Sequence, residues 1–202
     1  METIILASAS PRREEYFKLL GLPFTRFPSQ ADESLDPGAD GQTAAKELAL
    51  RKVKSVLPLL EEPPLWVCGA DTLITLEGRI YGKPRDRQDA QRMLNAFQGK
   101  RHEVISAVAL FCGRRGSFDC RAVVSAVTFA PLTPQEIQWY LDSDQWQDAA
   151  GAYKIQGLAS CFISSIEGSY SSIVGLPLRE FYVMLRDNGY PYGGQAEKPK
   201  VF

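Results

Sequence analysis

The sequence predicts an α/β protein built on a mixed, twisted sheet in two lobes around a cleft, and three observations predict it. Short apolar runs alternate with amphipathic helical stripes through the first hundred residues, the pattern of strands joined by helical crossovers. A long hairpin around Gly113-Arg114-Arg115-Gly116 then adds antiparallel strands. Finally, 202 residues of 45% apolar and 23% charged content suit a folded core that needs no covalent staples.

Thr3 to Ala7 is a short apolar run that reads as a buried strand. Ser8-Ala9-Ser10-Pro11 breaks it. Ser10 suits a helix N-cap, Pro11 the first helical position and Gly21 the stop. Phe24 to Phe27 reads as a second strand, and Ser29 to Gly41 as polar loop. From Gln42 to Leu60 apolar residues recur at helical spacing, until Glu61-Glu62-Pro63-Pro64 ends the run. Leu65 to Ala70 is an apolar strand with Asp71 expected at its C-terminal end. Thr72 to Tyr81 reads as a hairpin turning at Glu77-Gly78, and Asp86 to Gln98 as a helix with Ala90, Met93, Leu94 and Phe97 on one face. His102 to Cys112 and Ser117 to Phe129 are the two long strands. Thr133-Pro134-Gln135-Glu136 is a capping box that opens a helix to about Ser143. After a loop from Trp146 to Gly157, a strand is expected near Cys161 to Ile166 and a last amphipathic helix ends near Asn188-Gly189. The packed unit is thus expected over residues 1–189, with a polar, frayed tail over 190–202.

Lys plus Arg number 23 and Asp plus Glu 24, a net charge of −1. That excludes a broad basic face for nucleic acid and leaves any bound anion to a local cluster. Cys68, Cys112, Cys120 and Cys161 show no CxxC spacing, and His102 is the single histidine. No Cys/His zinc site is expected, and the thiols read as core residues of a reducing compartment. Arg12 and Arg13 follow the first apolar run, the reverse of signal-peptide order, and no stretch approaches a membrane span. A cytoplasmic protein without membrane contact is expected.

Ser8, Ser10, Arg12 and Arg13 surround the start of a helix, where unpaired amides and the helix dipole favour an anion such as phosphate. A capped surface helix with solvated arginines fits the same residues. Lys52 falls near the middle of the apolar stripe, where it must snorkel or pair with a carboxylate or a ligand anion. Asp71, after Gly69-Ala70, stands where open α/β sheets place ligands, although an aspartate capping a turn is also compatible. Glu33 offers a second oxygen ligand for a hard cation. Lys83, between Gly82 and Pro84, can meet a phosphate or stay solvated. Gln156, in the small-residue segment Ala150 to Gly157, carries both a donor and an acceptor, which suits reading the edge of a base. His102 reads as a solvated or hydrogen-bonded structural residue.

Taken together these residues resemble the Maf family of nucleotide pyrophosphatases. The resemblance is carried by Ala7-Ser8-Ala9-Ser10-Pro11-Arg12-Arg13, Glu33, Ala49-Leu50-Arg51-Lys52, Gly69-Ala70-Asp71-Thr72, Gly82-Lys83-Pro84, Ala150 to Gly157, Gly168-Ser169-Tyr170 and Val174-Gly175-Leu176-Pro177-Leu178. It implies a fold related to the inosine-triphosphate pyrophosphatases and hydrolysis of a nucleoside triphosphate to the monophosphate and pyrophosphate. Arg12, Thr72 and Gln156 match the branch that acts on dTTP and UTP, modified pyrimidine nucleotides included. By the same resemblance Asp71, Lys52 and Lys83 are catalytic, while Ser8, Arg12, Arg13, Thr72 and Gln156 bind substrate. Asp71 and Glu33 would hold a divalent cation, Mg²⁺ or Mn²⁺. A nucleotide-binding regulator of septum formation that needs no turnover stays open, and a homodimer is the assembly base rates suggest.

Overall fold

The computed structural model describes residues 1–35, 38–61 and 64–192. In chain order the elements are β1 (Ile4–Leu6), α1 (Pro11–Leu19), β2 (Phe24–Arg26), α2 (Gly41–Val56), β3 (Trp66–Leu76), β4 (Arg79–Tyr81), α3 (Arg87–Phe97), β5 (Arg101–Cys112), β6 (Ser117–Phe129), α4 (Pro134–Asp142), β7 (Ile163–Glu167), α5 (Tyr170–Val174) and α6 (Leu178–Asp187). Seven strands form one mixed sheet in the order β2-β1-β3-β5-β6-β7, with β4 also on β3. The β2-β1-β3 pairs are parallel and the others antiparallel.

The long strand β3 organises the molecule. The strand expected to stop before Asp71 continues to Leu76, because β5 pairs with it from Trp66 to Thr75 and holds the whole length extended. Its other edge is shared. β1 takes Val67 and Cys68, and β4 takes Ile74 to Leu76. Among the described residues no strand pairs with 69–73 on that edge, so the sheet splits there and a cleft opens beside Asp71 and Thr72.

Strand alternation divides the core at the same point. Trp66, Cys68 and Ala70 face one core with Phe17 of α1 and Phe181, Met184 and Leu185 of α6. Ile74 and Leu76 face a second core with Leu94 and Phe97 of α3 and Tyr140 and Leu141 of α4. Thr72 falls between these two lobes. Val67 and Leu73, on the opposite face, pack under Ala45, Ala49 and Val53 of α2. A Cβ on Gly69 would stand 2.8 Å from Val53 Cγ2 and 2.9 Å from the Ala49 carbonyl oxygen, so α2 approaches the strand this closely only over glycine.

Local signals set most helix ends. Asp40 caps α2 through the amides of Gln42 and Thr43, Asp86 caps α3 through Asp89, and Thr133 and Glu136 form the capping box of α4. Glu77 and Gly78 turn the β3–β4 hairpin with φ of 51° and 76°. Pro58 converts the end of the α2 stripe to a 3-10 turn at Leu57–Leu59, short of the expected Leu60. Cys161 belongs to a 3-10 turn, Leu158–Phe162, and β7 begins only at Ile163. Cys68 and Cys112 are core thiols as expected, whereas Cys120 is half-buried and Cys161 exposed.

Tyr190 corrects the expected tail. It is buried, packs edge-on to Trp66 at 5.3 Å, and its hydroxyl donates to the carbonyl of Glu2. Packing therefore extends past residue 189, and residues 193–202 of the expected tail lie outside the described residues. No helix among the described residues is long and apolar enough to cross a membrane.

Candidate functional site

The cleft beside β3 encloses about 340 Å³. It is walled by the start of α1, the inner face of α2, Lys83 just after β4, residues 148–150 and 153–156, and the end of α5. Ser8, Arg12, Arg13, Glu33, Lys52, Asp71, Thr72, Lys83 and Gln156 all line it, although they come from segments scattered along most of the chain. Its lining joins the charged side chains of Arg12, Arg13, Glu33, Lys52, Asp71 and Lys83 to the apolar ones of Ile74, Val104, Ile173 and Val174.

Because neighbouring residues of a strand point to opposite faces, Asp71 looks toward α2 and Thr72 toward the lobes. Lys52 comes down from the apolar stripe of α2, and its Nζ lies 2.6 Å from Asp71 Oδ1 and 2.8 Å from Glu33 Oε1. Pairing, rather than snorkelling to solvent, is how this inward lysine is satisfied. Burial raises the Glu33 carboxyl, but the hydrogen bond and charge of Lys52, with Lys83 and Arg13 beyond it, outweigh burial and hold it below the ordinary glutamate value.

The two arginines part company. Arg13 is buried, with Nε donating to the Gly175 carbonyl at 2.9 Å, Nη1 to Ser8 Oγ at 3.1 Å and Nη2 to Thr72 Oγ1 at 3.5 Å. Burial lowers its guanidinium and the charge of Asp71 opposes that. Arg13 thereby ties the start of α1 to β3 and the end of α5. Among the described residues Arg12 makes one side-chain bond, Nη2 to the Asp148 carbonyl at 3.2 Å, and its other donors are left for the cleft. Ser10 occupies the N-cap position of α1, but its side chain caps no amide.

Lys83 is exposed on the cleft rim and forms no ion pair within 4.0 Å among the described residues. The loop opposite is tightly specified. Asp148 and Ala152 adopt φ of 55° and 62°, and the amide of Gly151 bonds to the Gly82 carbonyl at 2.9 Å, joining the loop to the segment that carries Lys83. A Cβ on Gly151 would stand 2.4 Å from Ile74 Cδ1. Gln156 lies exposed at the end of this loop. His102 is buried behind it, with Nε2 at 2.9 Å from the Tyr153 hydroxyl, and burial pushes its imidazole down to about 4. It is a neutral, hydrogen-bonded structural residue, not a solvated one.

Residues 3–188 match the family model described as Maf-like protein. The chain belongs to the Maf family. A curated relative from Anaeromyxobacter sp. (strain Fw109-5) is 43% identical over 202 residues, with 96% of each chain covered, and is named dTTP/UTP pyrophosphatase. Another of that name, from Symbiobacterium thermophilum, is 40% identical over 191 residues, covering 95% of this chain and 96% of its own. Among solved structures, the Staphylococcus aureus Ham1 protein aligns with a TM-score of 0.54 at 12% identity, over 92% of this chain and 99% of that chain, a likeness of fold alone.

The Maf resemblance also implies a divalent cation. Asp71 and Glu33 are the carboxylates that converge, both on Lys52 Nζ. No cluster of three or more His, Cys, Asp or Glu side chains forms among the described residues. Two carboxylates completed by phosphate oxygens and water are a donor set that Mg²⁺ or Mn²⁺ takes beside a nucleotide, so the residues fit such an ion.

Sequence reasoning missed Asp148, whose carbonyl holds Arg12, and the buried hydroxyls of Ser106, Ser125 and Ser172. A signal for two of these existed. Ser106 and Ser125 interrupt apolar alternation on the inward face of long Maf strands, where a lone hydroxyl must find a partner.

Proposed function

We propose that this Maf protein hydrolyses dTTP and UTP, and modified pyrimidine triphosphates, to the monophosphate and pyrophosphate. The observation that carries the reading is the Lys52–Asp71 contact in a cleft lined by both cationic and apolar side chains. A nucleoside triphosphate needs both kinds of partner, with several negative charges on one side of the sugar and a flat ring on the other. The names borne by the relatives support the pyrimidine assignment.

Asp71 orients a water molecule in line with the α-phosphorus and accepts its proton. The new bond runs from water oxygen to Pα, and the bond from Pα to the bridging oxygen of Pβ breaks, with pyrophosphate leaving. Lys52 holds Asp71 in place and, with Lys83 and Arg12, faces the charge that gathers on the leaving group. Ser8 and the start of α1 receive phosphate oxygens, with Arg13 bracing them. Asp71 and Glu33 would hold Mg²⁺ or Mn²⁺, which supplies charge neutralisation on the phosphate oxygens when bound. Thr72 and Gln156 read the base. We assign the enzyme to the cytoplasm, with the free nucleotide as its partner.

The test is a panel of nucleoside triphosphates with Mg²⁺ or Mn²⁺, the products separated as pyrophosphate or orthophosphate, and Asp71→Asn run alongside. Pyrophosphate from dTTP and UTP that is absent in the variant supports the reading. Tight nucleotide binding without turnover would reject it in favour of a binding regulator.

A further inference from the structure

Ser106, Ser125 and Ser172 are buried; the hydroxyls of Ser125 and Ser172 pair with each other, while Ser106 Oγ bridges the Ser172 backbone carbonyl and the Thr72 hydroxyl at the cleft. Geometry sets the direction of the Ser106 and Thr72 protons. At the end of α5 the amides of Gly175 and Leu176 both bond to the carbonyl of Ser171. The Ser172 carbonyl takes a side-chain donor instead, Ser106 Oγ at 2.6 Å. A hydroxyl carries one proton. With that proton committed to Ser172, Ser106 must accept at its 2.8 Å contact with Thr72 Oγ1, and Thr72 must donate. Arg13 Nη2, which can only donate, also approaches Thr72 Oγ1, at 3.5 Å. Thr72 therefore turns its proton inward and, with one lone pair facing Arg13, keeps the other for the cleft.

We infer that Ser106 is a positioning residue that fixes Thr72 as a hydrogen-bond acceptor, so the cleft prefers a pyrimidine whose ring nitrogen carries a proton. Uracil and thymine carry an N–H at N3, whereas cytosine has an unprotonated acceptor there and would meet Thr72 lone pair to lone pair. The inference deepens the proposed function and rests on its placing of the base beside Thr72. It adds that the preference is written in a residue that touches no substrate.

UTP and CTP decide the matter, each measured by pyrophosphate release and by equilibrium binding in calorimetry on the full chain. The parent should favour UTP about tenfold, the worth of one unmade hydrogen bond. In Ser106→Ala the Thr72 proton loses its acceptor and is free to turn toward cytosine, so the UTP-to-CTP ratio should fall severalfold, chiefly through improved use of CTP. Thr72→Val keeps the side-chain shape without the oxygen and should flatten the same ratio through loss of UTP. Equal losses for both nucleotides in Ser106→Ala would make Ser106 merely structural and overturn the inference. An unchanged ratio in either variant, or a parent without preference, would overturn it too. Should Ser106→Ala fail to fold in thermal unfolding, Ser106→Cys, of similar shape and a weaker acceptor for the Thr72 proton, takes its place, and an unchanged UTP-to-CTP ratio there overturns the inference. A parent that binds both nucleotides and hydrolyses neither would sink the pyrophosphatase reading, while the binding ratios would still judge Ser106.

Discussion

Replacing Lys52 by methionine probes the centre of the cleft, where one ammonium stands between two carboxylates, 2.6 Å from Asp71 and 2.8 Å from Glu33. At an effective dielectric of about 20 the Asp71 contact alone is a gross attraction of about 6 kcal/mol. The Lys52 and Asp71 side chains keep only 11% and 9% of their exposure, so desolvation offsets much of that attraction. Removing one partner still leaves a carboxylate in the cleft floor without its counter-charge, a loss of about 3 kcal/mol. Methionine reproduces the apolar stem of lysine, so the change is one of charge rather than volume. For a chain of this size, about 3 kcal/mol is a drop of about 9 °C in Tm. Asp71→Asn leaves Lys52 its contact with Glu33 and should cost about 1 kcal/mol. The double variant removes both charges and should be about 1–2 kcal/mol more stable than Lys52→Met alone. Thermal and urea unfolding of the four proteins measure the coupling, and pyrophosphate release should be lost in every variant. Strictly additive losses, or a Lys52→Met melting point within about 1 °C of the parent, would refute the ion pair as the contact that organises the cleft.

Gly69→Ala should cost about 1–3 kcal/mol and depress activity with it, since the new Cβ meets Val53 and the Ala49 carbonyl and displaces the helix that carries Lys52. Normal activity at a lowered Tm would separate those two effects and count against the account. Arg13→Met strips three hydrogen bonds from a buried cation and should lower Tm by several degrees, whereas Arg12→Met should leave Tm nearly unchanged and raise KM. Matching KM effects with intact stability in both would show that the two arginines do the same work. The His102 imidazole is held at about 4 by burial, against an ordinary value of 6.5. From about pH 6.5 down to about 4 the unfolded chain takes up a proton that the folded chain refuses, so stability falls across that window by about 3 kcal/mol. His102→Phe, which keeps a ring among Phe97, Phe129 and Tyr153, should shrink that acid-side loss in urea unfolding. An unaltered slope would place its source elsewhere.

The parts of this protein that were legible in the sequence are those whose causes lie within a few residues. The Thr133–Glu136 capping box, the Glu77-Gly78 turn and the amphipathic stripe of α2 each needed only local geometry. Lys52 and Asp71 were legible as anomalies, a charge on an apolar face and an acid after an apolar run, and the family resemblance joined them to Ser8, Arg12, Arg13 and Gln156. What misled was the end of β3. The run from Leu65 to Ala70 reads as a complete strand, yet Asp71 and Thr72 sit within a longer one, because β5 supplies hydrogen bonds on the far edge that a polar residue does not interrupt. Tyr190 misled in the same way, since its partner Trp66 is distant in sequence.

The sequence by itself determined the α/β class, the order of elements and the inventory of groups able to handle a triphosphate, since propensity, capping and side-chain chemistry belong to residues and their neighbours. Tertiary structure alone decided what those groups are to one another. The gap in the pairing of β3 opens the cleft, because β1 and β4 share one edge and leave residues 69–73 between them. Burial made Arg13 a brace and left Arg12 at the rim. The proton on Thr72 points inward because a carbonyl at the end of α5 claims the one on Ser106. Each of these depends on which atoms meet across a fold, and on a hydrogen bond or charge having only so many partners to give.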